Sequence, residues 1–260
     1  FLDKHFTLKN NSWKNVDNLK IINNKLILSI YKKETQLKNN NKFVGFRGSR
    51  EKPTAIILKN NNLHLEIIIN PYAFSAKSDP AGISDIIVEA AVTTICDHED
   101  SVSAVDAKDK VLGYRNWLGL MKGNLKISFD KKGKQLIRKL NPDRKYISKE
   151  GLNLKLKGRS LILNRNAGHL MTNPAILLHD GSEIPEGIMD AFITSLCSLH
   201  DLKTRKNSQS GSIMIVKPKQ HGPEECEFTN LIFDKVERVL NLEKYTIKSV
   251  SYTHLTLPTR

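Results

Sequence analysis

Cysteine is scarce. The three in 260 residues, Cys96, Cys197 and Cys226, are widely spaced. An odd count with no Cys-x-x-Cys pair excludes a disulfide framework and a thiolate zinc site, and fits a reducing cytoplasm. The three read as small buried hydrophobes. Long apolar runs are also missing: stretches such as 67–69 and 175–178 fall far short of the roughly 18 residues a membrane helix needs, so no membrane partner is expected. No charged n-region followed by an apolar core opens the chain, which excludes a visible secretory signal. The first residue is Phe1 rather than Met, so the N-terminus is expected to be cut. Three glycine signatures are absent: the P-loop, the dinucleotide fingerprint and the nucleophile elbow. His98, His169 and His221 have no spacing diagnostic of zinc.

Aromatic residues are few, at 7%, although the chain is strongly basic, with 41 Lys and Arg against 27 Asp and Glu and a net charge of +14. A basic groove that binds nucleic acid needs aromatic platforms beside it. Here the lysines are scattered and travel with asparagine runs such as Asn39-Asn40-Asn41 and Asn60-Asn61-Asn62, a pattern of AT-rich coding. No nucleic-acid partner is expected.

The remaining composition, 39% hydrophobic and 26% charged, is that of a globular protein large enough to bury a core. The first ninety residues read as β-rich. Residues 19–22 and 25–30 flank Asn23-Asn24, and 54–58 and 63–69 flank Asn60-Asn61-Asn62. Both are hairpins whose asparagines tolerate positive φ. Residues 43–46 form another strand, and 71–82 a loop. Residues 85–91 are expected to be helical. From Val92 onward, apolar strands (92–96, 160–163, 212–216, 245–248) alternate with amphipathic helices (106–125, 185–199, 224–240), and a polar, short-stranded stretch at 129–158 interrupts them. That alternation predicts βα units and a parallel sheet.

In such folds chemistry sits at the carboxyl ends of the strands. The strands here end in Asp97-His98-Glu99-Asp100-Ser101, in Asn164-Arg165-Asn166, and in Lys217-Pro218-Lys219-Gln220-His221. The acidic cluster either holds Mg²⁺ or a catalytic water, or caps the next helix. Arg165 follows buried residues and needs a carboxylate or an anionic ligand. Lys217, Lys219 and His221 either add anion-binding charge or are solvated loop positions.

Several long motifs, in order, resemble the malate synthase G family: FVGFRG (43–48), ILKNNNLHLE (57–66), DIIVEAAVTTICDHEDSVSAVDAKDKVLGYRNWLGLMKG (85–123), IRKLNPDR (137–144), GRSLILNRNAGHLMTNP (158–174), EIPEGIMDAF (183–192) and DLKTRKNSQSGSIMIVKPKQHGP (201–223). The resemblance implies an α/β fold: a partial TIM (β/α)8 barrel with an inserted α/β domain. The inserted domain would take residues 1–88 and 123–157, and the barrel 89–122 and 158–248. It implies a cytoplasmic Mg²⁺-dependent acyltransferase of the glyoxylate cycle, monomeric at full length, whose partners are acetyl-CoA and glyoxylate. It would form (S)-malate and CoA by enolate attack on the glyoxylate aldehyde. By resemblance, Arg165 contacts glyoxylate and steadies the enolate, and Ser101 and Arg138 contact acetyl-CoA. Glu99 is an acid beside the magnesium site, acting through water. The family often has Cys where His98 stands.

The resemblance ends at Lys248. Residues 249–260 read as a tail foreign to the family, and His254 stands near where its metal-binding Glu belongs without being a substitute. The magnesium ligands and catalytic Asp base lie outside this stretch. The chain alone is therefore expected to be inactive, and poorly soluble or partly folded. Two other classes fit the bare residues: a related barrel acyl-CoA lyase, against which the inserted-domain motifs argue, and a basic nucleic-acid-binding module.

Overall fold

A computed structural model describes residues 1–89, 94–99 and 104–252. The chain divides into two units, Phe1–Ala91 with Pro142–Gly158, and Val92–Asn141 with Arg159–Arg260.

After a short helix α1 (Leu2–His5), the first unit is built from hairpins. Strands β1 (Asn18–Ile22), β2 (Lys25–Ile30) and β3 (Lys33–Gln36) form a three-stranded antiparallel sheet. Asn23 and Asn24 turn it at φ 49° and 60°, where their short polar side chains tolerate the left-handed backbone. The β3 strand has no apolar alternation and carries no strand signal in the sequence. A second antiparallel run follows: β4 (Phe43–Gly48), β5 (Pro53–Asn60), β6 (Leu63–Ile69) and β7 (Ile83–Val88). Here β7 corrects the helix expected over 85–91. It pairs with β6 in the register Ile67↔Ile86 and Leu65↔Val88, and residues 90–91 lie outside the described residues. A short apolar run fits either period, and pairing across the sheet decides between them.

The chain then builds the second unit with β8 (Thr94–Asp97), α2 (Ala107–Lys122) and a hairpin of β9 (Lys126–Lys131) and β10 (Lys134–Lys139). Asp106 caps α2 by accepting from Asp109 N–H at 2.8 Å. Gly123 closes it at φ 72°, a left-handed position that glycine takes without steric cost. Strands β11 (Arg144–Ser148) and β12 (Asn153–Leu156) return to the first unit, giving a six-stranded sheet in the order β12-β11-β4-β5-β6-β7. The core of that unit gathers Trp13, Leu26, Leu28, Phe43, Ile56 and Ile67.

The second unit resumes with β13 (Ile162–Arg165), an unpredicted hairpin of β14 (Thr172–Leu177) and β15 (Glu183–Pro185), α3 (Glu186–Thr204), β16 (Ile213–Pro218), α4 (Gly222–Val239) and β17 (Ile247–Tyr252). Its main sheet is parallel, ordered β8-β13-β16-β17, so each of these strands lies beside the next parallel strand, as βα units require, with the intervening strands in other sheets. The last strand continues past Lys248 and pairs with β16 as far as Tyr252. Two clusters fill the space under the helices. One holds Ile213, Ile215, Phe233 and Val236; the other holds Trp117, Met121 and Cys197.

Candidate active site at the carboxyl ends of the parallel strands

The parallel register brings Arg165 directly beside Asp97 at the ends of β13 and β8. Arg165 Nε donates to Asp97 Oδ1 at 2.9 Å, and Nη2 donates to Asp97 Oδ2. Partial burial by itself would raise the Asp97 pKa. Hydrogen bonds from Arg165 and from the Glu99 N–H outweigh it and hold the carboxyl below the usual range. Glu99 is nearly buried. Its Oε2 lies 3.6 Å from Arg165 Nε, and its Oε1 lies 2.5 Å from Lys219 Nζ. Two carboxylates therefore share two cations at the strand ends. The Arg165 side chain is still 29% exposed, open to a small anion from solvent.

His98 separates the two acids and is buried. Its backbone N–H donates to Arg165 O at 2.9 Å, and its Nδ1 lies 2.9 Å from Asn164 Nδ2. The amide donates there, so Nδ1 is the acceptor. Burial lowers the imidazole pKa and keeps the ring neutral. The ring stacks on Tyr114 at 5.2 Å.

Not every expected residue joins this cluster. Ser101 and Asp100 lie outside the described residues, as does His254. Arg138 is exposed on β10, its guanidinium 4.9 Å over the Phe129 ring, and takes no part in the strand-end network among the described residues. His221 is half-exposed beside Glu225. Cys226 is exposed and Cys96 partly so, which corrects the reading of all three cysteines as buried. Lys217 is no solvated loop residue: it is the fifth residue of β16 and only 1% exposed.

Sequence reading misses two functional candidates, Lys110 and Asp190, and takes a third, Lys217, only as an anion-binding or solvated loop position; all three are sealed from water. A signal did exist. Lys110 occupies the buried stripe of α2 with Tyr114, Trp117 and Met121. Glu186, Asp190, Thr194 and Ser198 repeat every fourth residue on the buried side of α3. Charges on a core-facing stripe mean a polar network beneath the surface.

Mg²⁺ takes hard oxygen ligands, and Asp97 and Glu99 supply that chemistry. Yet Asp97 is engaged by Arg165, and Glu99 by Arg165 and Lys219. Among the described residues no three His, Cys, Asp or Glu side chains converge on one point. This donor set does not fit a divalent cation. It fits a small anion held by Arg165 and Lys219, with acids that orient the guanidinium and can compete for it.

Comparison with known families agrees with this architecture. Residues 161–254 match the malate synthase TIM barrel domain, and residues 1–60 match the malate synthase G alpha-beta insertion domain. The barrel match runs beyond Lys248, where the motif resemblance ends. Malate synthase G of Halalkalibacterium halodurans is 48% identical over 252 residues, covering 95% of this chain and 35% of the relative. Those of Corynebacterium efficiens and Corynebacterium glutamicum are 50% and 48% identical over 251 residues, again 95% of this chain, and 33% and 34% of the relatives. The chain thus spans about a third of the length of these curated relatives. With a parallel βα sheet, an antiparallel companion unit and Arg165 at a strand end, the chain belongs to the malate synthase G family and carries a partial TIM barrel with an inserted α/β domain.

Proposed function

We propose that the protein to which this chain belongs condenses acetyl-CoA with glyoxylate and water to give (S)-malate and CoA, as a cytoplasmic acyltransferase of the glyoxylate cycle that is monomeric at full length. The observation that carries this reading is the placement of Arg165. A bidentate, permanently charged donor stands at the end of a parallel barrel strand, partly open to solvent, with its plane set by Asp97. Its role is to bind the glyoxylate carboxylate and aldehyde oxygens and to stabilise the enolate oxyanion as it forms. Glu99 holds Arg165 and Lys219 in place. Arg138, on its exposed hairpin, is assigned to the CoA phosphates, and Ser101 to acetyl-CoA. Mg²⁺ follows from family membership and would polarise the aldehyde. The described residues offer it no ligand set, so no step is assigned to it. The proposal keeps residues 1–88 and 123–157 as the inserted domain and 89–122 and 158–248 as barrel. The two structural units differ from this at the β9–β10 hairpin, which falls in the second unit.

Grafting residues 43–248 into the matching stretch of the Corynebacterium glutamicum relative tests the reading. Acetyl-CoA and glyoxylate are supplied, and CoA release and malate are measured. The graft is expected to turn over, and Arg165→Gln within it to lose about 100- to 1,000-fold in kcat. A soluble graft that ignores glyoxylate but cleaves or forms another acyl-CoA bond would establish the lyase reading instead. The 260-residue chain alone is expected to release no CoA.

A further inference from the structure

A layer of charge lies beneath the strand ends, out of reach of water. Lys110 Nζ donates to the His98 carbonyl at 2.7 Å and to Asp190 Oδ1 and Oδ2 at 2.9 and 3.1 Å, and it lies 2.5 Å from Glu186 Oε1. Asp190 also accepts from Tyr114 Oη–H at 2.5 Å and from the Ala167 N–H at 2.7 Å. Lys217 Nζ donates to the Ala167 carbonyl at 2.6 Å. The backbone of Ala167 is thus gripped on both sides, its N–H by Asp190 and its C=O by Lys217. The carbonyl between Asp97 and Glu99 is gripped by Lys110.

These grips fall on the segments that carry the site. His98 sits between the two acids, and Ala167 lies two residues beyond Arg165. Apolar side chains of similar volume would fill the same space without the cost of desolvating ions. What ions add is direction, because each backbone group is held by a partner of one geometry. Gly187 completes the arrangement. A Cβ there would lie 2.7 Å from Ala167 O and 2.9 Å from Gly168 O, and would run into Lys217 Nζ. Only glycine lets the start of α3 come this close to the loop.

We infer that Lys110, Asp190 and Lys217 are positioning residues, a buried charged clamp that fixes the ends of β8 and β13 and so sets where Arg165 and Glu99 reach. The clamp itself stands on geometry; its effect on turnover rests on the malate synthase reading.

The test compares three variants of the full 260-residue chain by peptide-resolved hydrogen exchange and thermal melting: Lys110→Met, the double variant Lys110→Met/Asp190→Asn, and Gly187→Ala. Lys110→Met leaves Asp190 and Glu186 without the cation they share and is expected to lower the melting temperature. The double variant removes the charges of Lys110 and Asp190 but leaves Glu186 without its cation, and is expected to recover part of that loss. Gly187→Ala keeps every charge but pushes the clamp apart. In the double variant and in Gly187→Ala, exchange over residues 94–99 and 162–168 is expected to rise about tenfold relative to residues 232–236. In the graft described above, the same two variants should lose about 100-fold in kcat with little change in KM for acetyl-CoA. Recovery of both stability and wild-type local exchange in the double variant would show that the charges only fill space, and would overturn the clamp. So would an equal rise of exchange in all segments. If the unmutated graft is inactive, the malate synthase reading fails, and the exchange result alone decides the clamp.

Discussion

Asp97 and Arg165 stand at one register position of two adjacent parallel strands, and the carboxylate accepts two hydrogen bonds from one edge of the guanidinium, from Nε at 2.9 Å and from Nη2. Both side chains are about one-third exposed, so the pair adds little to stability. Its effect is to set the plane of the arginine. A substrate carboxylate would meet a fork already oriented, and Asp97 would be the group it competes with.

Replacing Asp97 with Asn tests that division of labour. The folded-state pKa of Asp97 lies below its ordinary value. Its stabilisation is therefore present above about pH 4 and is lost as pH falls through the lower folded-state value. Unfolding free energies from urea titrations between pH 6 and pH 3 should differ between wild type and Asp97→Asn by less than about 1 kcal/mol at pH 6, and the two should converge in acid. A difference that grows as pH falls would contradict the assignment.

Lys217 should leave the opposite signature in alkali. Burial pushes its ammonium down to about 8, against the attraction of Asp190, Glu99 and Glu186. Below that pH the native state carries the cost of a buried cation. Above it the unfolded chain binds the proton more tightly, so stability from this group rises with pH until about 10, where the free lysine also titrates. The neutral amine still donates to Ala167 O. Comparing unfolding free energies at pH 7.5 and pH 9.5 should show a rise in wild type, relative to Lys217→Met, on the order of 1–2 kcal/mol. Identical slopes would mean that the lysine is not desolvated.

Trp117 anchors α2 to α3. It is fully buried, and its Nε1–H lies 3.0 Å from Thr194 O and 3.2 Å from Ser198 Oγ. Trp117→Ala removes the ring and leaves a cavity beside Met121 and Cys197, at a cost of about 3–5 kcal/mol. Trp117→Phe keeps most of the volume and should lose about 1–3 kcal/mol, mainly the unmet hydrogen bond. Circular dichroism in urea gives both values.

The thiols should react in order of exposure. Cys226 is exposed. Burial and the adjacent Asp97 push the Cys96 thiol up to about 11, and burial raises that of Cys197. Ellman's reagent at pH 8 should titrate one thiol quickly in the native chain and three in urea. Cys226→Ser should abolish the fast phase; if it persists, Cys96 is the reactive group.

Much of the local structure follows from neighbours in sequence. The Asn23-Asn24 and Asn61-Asn62 turns, with φ between 48° and 63°, follow from a residue type that accepts the left-handed backbone. The Asp106 cap and the Gly123 stop of α2, and the alternation of apolar strands with amphipathic helices, are equally local. So is the expectation that chemistry gathers at Asp97, Glu99 and Arg165, because a parallel strand places its carboxyl end at one edge of the sheet. Only the tertiary structure made residues 83–88 a strand, since Ile86 and Val88 had to pair with Ile67 and Leu65 rather than continue a helical period. Only it buried Lys110, Asp190 and Lys217. Lys110 and Asp190 are 80 residues apart in the chain, and a charge is stable inside a protein only where folding delivers its partner. Periodicity is read from adjacent residues, whereas the burial of a charge is decided by residues that meet only in the fold.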